Sequence, residues 1–171
     1  MKKLVLFWAL TSLFFSCVST STVNSRLSKF KDPDTGVETV ETIISFGDTG
    51  DETLISFNQT KNPKNINWYI IGKFATSKEG DYAKLDLTID KKVRELKVGG
   101  AYNTYDIKTA NSKLFKKVEY YRIDEEIISD INKCVSLKLT FVGTGRSEDF
   151  TYSKEQLKDI KEWIKNITIP K

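Results

Sequence analysis

The chain has 171 residues, with 27 lysines and arginines, 23 aspartates and glutamates, two cysteines and no histidine. This length, with 39% hydrophobic residues, is typical of one folded domain with a short extension and excludes wholesale disorder. The lack of histidine excludes Ser-His-Asp and Cys-His catalysis, histidine-ligated metals and an imidazole pH switch.

The N-terminus has the pattern of an export signal. Lysines at positions 2 and 3 precede an apolar run over residues 4–15. A transmembrane helix needs about 20 apolar residues, so this run is too short to span a bilayer. We therefore predict that residues 1–16 are a signal peptide that does not belong to the fold.

The residues after the apolar run predict a lipid anchor. Phe14, Phe15 and Ser16 lead directly into Cys17, and this segment resembles a relaxed form of the lipobox of bacterial lipoproteins. The resemblance implies that Cys17 carries a diacylglycerol and is the first residue of the mature chain. The alternative is cleavage by ordinary signal peptidase, with Cys17 and Ser19 as its small residues, which would release a soluble periplasmic protein.

The mature chain is close to neutral and has little drive toward a polyanion. Loss of the two N-terminal lysines lowers the net charge from +4 to +2, so nucleic acid is not an expected partner. Acylation of Cys17 leaves Cys134 as the remaining thiol and excludes an intramolecular disulfide. Residues 17–29 are rich in Ser and Thr and predict a lipidated N-terminus with a flexible tether, and residues 30–171 predict one β-rich globular domain.

The domain is predicted to be mainly antiparallel β-sheet, because apolar residues alternate and turn residues recur at short intervals. The predicted strands cover residues 37–46, 53–57, 68–75, 82–89, 93–98, 101–107, 114–123, 134–142 and 149–152. We place the strand 68–75 inside a sheet because it is apolar on both faces. Gly99 and Gly100 predict a hairpin turn in which both residues adopt positive φ.

Two helices complete the predicted fold. The first lies near residues 124–132 and has an acidic first turn, which complements the helix dipole. The second lies near residues 153–167 and begins with a capping box formed by Ser153 and Gln156. Its apolar stripe contains Leu157, Ile160, Ile164 and Ile167. Such a helix needs a sheet to cover, so the fold class is α+β, with the sheet arranged as a sandwich or a curled roll.

The second half of the domain carries a further resemblance. Residues 124–167 combine a short helix, a hairpin and a capped helix, and this order is similar to the ending of small, uncharacterised bacterial envelope proteins. The likeness is one of pattern and implies no catalytic residues. A pleckstrin-homology-like roll is also similar, and no motif separates it from a β-sandwich.

The motifs that resemble chemical sites are better explained by structure. Cys134 has no histidine to lower the pKa of its thiol, which favours a structural role. The two acidic segments named below do not supply the six or seven oxygen ligands, in fixed order, that a calcium-binding loop needs. The glycine pair named with them is not followed by the helix that a phosphate-binding loop needs. These turn motifs are Asp32-x-Asp34-x-Gly36, Asp48-x-x-Asp51-Glu52 and Gly143-Thr144-Gly145-Arg146.

A basic stretch and its tyrosines leave two interpretations open. The cations are Lys108, Lys113, Lys116, Lys117 and Arg122, and the tyrosines are Tyr102, Tyr105, Tyr120 and Tyr121. They form either a solvated strand face with cross-strand pairs or a surface for anionic lipid or glycan. Paired carboxylates for glycan hydrolysis need no histidine, but 23 acidic residues do not identify a pair.

The sequence therefore predicts a lipid-anchored, non-catalytic protein of the bacterial cell envelope that acts as a binding or accessory module. Its expected partners are the membrane, through the lipid on Cys17, and an envelope protein or glycan. No cofactor or metal is expected. The first alternative is a carrier of an apolar ligand, and the second is a carboxylate-based glycan hydrolase. The oligomeric state does not follow from the sequence.

Overall fold

The computed structural model describes residues 26–47, 53–74, 82–99 and 117–169. Within these ranges the chain forms nine strands and two helices. The strands are β1 (Arg26–Lys31), β2 (Glu38–Phe46), β3 (Thr53–Lys61), β4 (Ile66–Phe74), β5 (Tyr82–Ile89), β6 (Lys92–Lys97), β7 (Lys117–Ile123), β8 (Leu137–Gly143) and β9 (Arg146–Thr151). The helices are α1 (Glu125–Lys133) and α2 (Lys154–Asn166).

The first sheet has five antiparallel strands in the order β1-β2-β3-β4-β7. Its inner face is apolar because alternate residues of adjacent strands point the same way. Ile44 lies opposite Ile55, and Phe57 lies opposite Ile70, and all four side chains are fully buried. β4 has a neighbour on each side, which confirms the prediction that this apolar segment lies inside a sheet.

The second sheet has four antiparallel strands in the order β6-β5-β8-β9. Leu85 and Leu87 of β5 face the interior, and the residues that alternate with them lie on the outer face, where they are partly exposed. On that outer face the Lys84 ammonium lies 2.6 Å from the Glu95 carboxylate and 3.3 Å from that of Asp86. The two sheets meet where Val98, just after β6, pairs with β7. The observed architecture confirms an α+β fold dominated by antiparallel sheet.

The turn between β5 and β6 falls between the predicted strands 82–89 and 93–98. Asp90 and Lys91 both have positive φ, +45° and +74°, and make the tight reversal there. The Asp90 carboxylate accepts backbone N–H groups of Val135 and Ser136 at 2.9 and 2.8 Å, which lowers its pKa. Gly99 does not adopt positive φ, so its predicted role is wrong. It continues the strand edge by donating its N–H to a β7 carbonyl.

Two other local predictions are wrong. The strand predicted over 134–142 begins too early, because β8 starts at Leu137 and the Val135 side chain before it is 83% exposed. The predicted tether extends to residue 29, yet β1 begins at Arg26 and pairs with β2 along its whole length. This pairing satisfies backbone hydrogen bonds and needs no apolar side chains. Residues 17–25 and 101–107 lie outside the described residues.

Local capping sets where both helices begin. The Asp124 carboxylate accepts the Ile127 N–H at 2.8 Å and caps α1. Ser153 and Gln156 form both hydrogen bonds of the capping box of α2, as the sequence predicts. Tyr152 and Leu157, one residue before the cap and four after it, are both buried and occupy the two positions of a hydrophobic staple.

Helix α2 packs against β2 and contributes the largest fully buried side chain of the core. Trp163 is fully buried, and its ring centre lies 5.8 Å from that of Phe57. Its indole N–H donates to the Val40 carbonyl at 2.9 Å, which ties the helix to the sheet. After the helix, the Gln59 side chain bonds both the N–H and the carbonyl of Thr168. The interior between the first sheet and α2 thus combines aromatic rings with aliphatic side chains such as Ile44 and Ile160.

Candidate functional site

The most distinctive group of polar side chains lies between the two sheets. Alternation along β7 directs Glu119, Tyr121 and Ile123 toward the interior, and the Glu119 side chain is only 4% exposed. A buried carboxylate requires hydrogen-bond donors, because leaving water is costly for a charged group. We call Glu119, Tyr121, Tyr82, Arg146 and Glu148 the Glu119 cluster.

Both oxygens of Glu119 are hydrogen-bonded. One oxygen, Oε1, accepts the backbone N–H of Tyr82 at 2.9 Å, and the other, Oε2, accepts the Tyr121 hydroxyl at 2.5 Å. The first bond joins β7 of one sheet to the start of β5 in the other. Glu119 therefore connects the two sheets through a charge-assisted contact in the interior.

The missing side chain of Gly72 makes room beside Glu119. Gly72 of β4 pairs with Glu119 in the strand register, on the inner face of the sheet. A Cβ atom at this position would lie 2.7 Å from the ring of Phe74 and 3.0 Å from that of Phe141. These rings pack edge to face with their centres 5.0 Å apart. Gly72 is thus required by the close approach of aromatic rings.

Tyr82 lies at the centre of the cluster. Its ring faces the Arg146 guanidinium, whose carbon is 4.3 Å from the ring centre, a distance typical of a cation–π contact. Burial raises the pKa of Tyr82, and the neighbouring Glu148 carboxylate raises it further. Burial followed by the hydrogen bond to Glu119 raises the pKa of Tyr121. Both phenols therefore stay protonated well above the ordinary range of tyrosine.

The geometry favours a structural role for this cluster over a catalytic one. Glu119 and Glu148 are two carboxylates near the same tyrosine, and glycan hydrolysis requires a pair of carboxylates. However, Glu119 is buried and both of its oxygens already accept hydrogen bonds. A sugar oxygen would have to displace these donors to reach it. The cluster thus gives the hydrolase hypothesis no support.

The sequence could have indicated this group only in part. Strand alternation places Glu119 on the same face as Tyr121 and Ile123, but Val118 and Tyr120 on the other face are also apolar or aromatic, so the pattern does not show which face is buried. Nothing local indicates that the Tyr82 backbone would reach it from 37 residues away. The contact depends on how the two sheets pack.

Of the two cysteines, the structure describes Cys134 and does not describe Cys17. Cys17, the predicted lipidation site, lies outside the described residues. Cys134 is buried at the end of α1, and its thiol donates to the Ile131 carbonyl at 3.1 Å. Burial raises the pKa of this thiol, and a protonated thiol is a poor nucleophile. A structural role for Cys134 is therefore favoured.

Two of the three predicted turn motifs fall within the described residues. Asp32 accepts the N–H groups of Asp34 and Thr35, and Gly36 follows with φ of +68°, so this acidic segment forms the β1–β2 turn. Gly145, with φ of +72°, forms the β8–β9 turn. The segment from Asp48 to Glu52 lies outside the described residues.

The basic stretch is described only at its end. Arg122 is exposed on β7, and the Tyr120 ring packs edge to face against Tyr69 of the adjacent strand. Tyr121 belongs to the interior, so it does not join a surface for glycan or lipid. The other members lie outside the described ranges or, at position 117, have no described side chain.

Neither described helix is long and apolar enough to cross a membrane. Among the described residues no group of three or more cysteine, aspartate and glutamate side chains is placed to hold a metal ion. Comparisons with protein-family models, with curated proteins and with solved structures found no match to this chain. Its function is therefore inferred from its own residues.

A substitution at Tyr152 tests whether this side chain is buried as the structure describes. Tyr152 packs edge to face against Phe46 at 5.2 Å, and its buried hydroxyl has no hydrogen-bond partner among the described residues. Tyr152→Phe keeps the ring contacts, so we expect it to leave the free energy of unfolding at pH 7 within about 1 kcal/mol of the parent. Urea denaturation monitored by tryptophan fluorescence measures this.

The same variant has a larger effect in alkali. Burial raises the pKa of Tyr152 in the folded state, so its stabilising contribution is complete below the ordinary tyrosine pKa and is lost as pH rises above it. Each such tyrosine lowers the free energy of unfolding by about 1.4 kcal/mol per pH unit above about pH 10. Tyr152→Phe should remove one such contribution between pH 10 and 11.5. An equal pH slope in both proteins would contradict the described burial.

Proposed function

We propose that this protein is a lipid-anchored, non-catalytic protein of the bacterial cell envelope that acts as a binding or accessory module. The observation that carries the proposal is Cys17, placed directly after a short apolar run with a positive N-terminus. Acyl chains on Cys17 hold the domain at the membrane, because each buried methylene contributes about 0.8 kcal/mol to binding. The domain faces the periplasm or the cell exterior.

The packed interior favours binding at the surface of the domain. Trp163, Phe57, Phe74 and Phe141 occupy the space between the sheets and under α2, and all four are fully buried. The centres of neighbouring aromatic rings in this interior are 5.0 to 5.8 Å apart, so the rings are in van der Waals contact with one another. An apolar ligand between the sheets would have to displace these rings. This packing counts against the carrier alternative.

Partner classes follow from the surface chemistry. The outer face of the second sheet carries paired charges, such as Lys84 with Glu95 and Lys138 with Asp149. Such a mixed face, with a mature net charge of +2, suits a protein or glycan partner better than a polyanion.

Native mass spectrometry of the purified protein tests the carrier alternative, since a copurifying apolar ligand would support it.

Metabolic labelling tests the lipid anchor. We expect radiolabelled palmitate to enter the parent protein and to be lost completely from Cys17→Ala. Cys134→Ala is the matched control, and it should keep the label because the Cys134 thiol is buried. Mass spectrometry should show a mature chain that begins at an acylated Cys17. An unlabelled parent chain that begins beyond residue 17 would refute the anchor and indicate ordinary signal peptidase.

A further inference from the structure

The outer face of the first sheet carries a pair of half-buried tyrosines. Alternation along β7 directs Glu119 and Tyr121 to the interior, so Tyr120 and Arg122 lie on the opposite, outer face. The Tyr120 ring contacts the Tyr69 ring edge to face, with the ring centres 6.5 Å apart, which places Tyr69 on the same outer face. Each ring is thus held by the other and keeps part of its surface exposed.

Polar side chains continue from Tyr69 in one row across the strands. Tyr69 of β4 lies opposite Asn58 of β3 on one side and opposite Arg122 of β7 on the other. The bridge that joins β7 to Val98 places Lys97 of β6 opposite Arg122. We call Asn58, Tyr69, Arg122 and Lys97 the Tyr69 row. It crosses four strands and therefore spans roughly 14 Å, at about 4.8 Å for each strand spacing.

The two cations of the row lie side by side without an anion between them. Both are exposed, and neither forms a salt bridge with a described residue. The nearby carboxylates are paired with other lysines: Glu95 lies 2.6 Å from the Lys84 ammonium, and Glu41 lies 4.0 Å from that of Lys73. Like charges in opposite positions destabilise a strand pair. A bound anion would offset this repulsion.

The other end of the row supplies an amide. Asn58 is 8% exposed, and its side chain forms no hydrogen bond with another described residue. An amide offers both donors and an acceptor to hydroxyl groups. The negative face of an aromatic ring attracts C–H groups such as those of a sugar ring. A guanidinium binds a carboxylate through two parallel hydrogen bonds. The row therefore combines the contacts that a carboxylated sugar needs.

We propose that the Tyr69 row binds an acidic glycan, with a sugar ring on Tyr69 and a sugar carboxylate between Arg122 and Lys97. This inference rests on the proposed function and names the class of its partner. Nucleic acid also combines rings with anions, but its binding depends on many cations along a phosphate backbone. The mature chain has a net charge of only +2, and the row has two cations, so a carboxylated glycan is the better fit.

Oligogalacturonate and its methyl ester test the proposal, because they share the same sugar rings and only the first is charged. Binding of each fluorescently labelled glycan to the purified, acylated full chain in neutral detergent is measured by fluorescence anisotropy. We expect the parent protein to bind the acid at least about tenfold more tightly than the ester, since charge-assisted hydrogen bonds contribute that much. Added salt should weaken binding of the acid.

Variants separate the charged contact from the ring contact. Arg122→Gln should weaken binding of the acid about tenfold and leave binding of the ester unchanged. Tyr69→Ala should weaken both about tenfold, whereas Tyr69→Phe keeps the ring and should bind both as the parent does. Lys133→Gln is the matched control, because it removes one exposed cation at the end of α1. It should leave both affinities unchanged.

The outcomes distinguish this inference from the proposed anchor. Equal binding of acid and ester by the parent, or an unchanged preference in Arg122→Gln, would refute the glycan site. So would tighter binding of single-stranded DNA, or no binding of oligogalacturonate, hyaluronan and soluble peptidoglycan fragments. If palmitate still labels Cys17 in that case, the anchor stands without this partner. If palmitate does not label the protein, the anchor is refuted whatever the glycan result.

Discussion

We expect Trp163→Ala to lower the free energy of unfolding by about 3–5 kcal/mol, the range for removal of a large buried aromatic side chain. Trp163 is fully buried where α2 meets the first sheet, and it packs on Phe57. The substitution leaves a cavity and also removes the donor to the Val40 carbonyl. Urea denaturation followed by circular dichroism measures the loss without relying on this tryptophan.

Two control variants separate the contributions at this position. Trp163→Phe fills most of the cavity but removes the hydrogen bond to Val40, and should cost about 1–2 kcal/mol. Lys165→Ala lies on the exposed side of the same helix, where its pair with Glu162 is solvated, and should change stability by about 0.5 kcal/mol or less. A loss below about 1 kcal/mol in Trp163→Ala would contradict the described packing of α2.

We expect Glu119→Ala to lower the free energy of unfolding by about 3 kcal/mol, because it leaves buried donors without their acceptor. The Tyr82 N–H and the Tyr121 hydroxyl both donate to this carboxylate. Glu119→Gln keeps the shape and one acceptor oxygen, so its effect should be smaller. Urea denaturation at pH 7 measures both variants.

A double-mutant cycle isolates the contact between the two side chains. Tyr121→Phe removes the hydroxyl and should cost about 1–2 kcal/mol, since the Glu119 carboxylate then loses one donor. The loss of unfolding free energy in Glu119→Ala/Tyr121→Phe should be smaller than the sum of the losses in the two single variants by about 1–2 kcal/mol. The reason is that residues in direct contact are coupled. Strict additivity would mean that the hydrogen bond contributes nothing to stability.

Patterns that depend on neighbouring residues could be predicted from the sequence. The capping box of α2 is encoded by Ser153 and Gln156, whose bonds form within one helical turn. The alternation of Leu85, Leu87 and Ile89 likewise identifies β5 as a half-buried strand. Both follow from local geometry and need no knowledge of the rest of the chain.

The errors arose where distant segments override a local preference. Gly99 has the freedom to adopt positive φ, but β7 holds it as an extension of β6 through a backbone hydrogen bond. The earlier turn, between β5 and β6, is likewise supported from a distance, since the N–H groups of Val135 and Ser136, 45 and 46 residues away, bind the Asp90 carboxylate. Turn propensity is a weak preference compared with several such bonds.

The chain's own order of residues specified the element types, the capped second helix, the mainly antiparallel class and the hypothesis of a lipid on Cys17. These depend on periodicity, capping and a short linear motif, which act over a few residues. Only the tertiary structure decided the strand order, the burial of Glu119 between two sheets and the exposure of Phe30 at a sheet edge. The reason is that burial and strand pairing depend on which distant segments of the chain come into contact, and local sequence patterns do not specify these contacts.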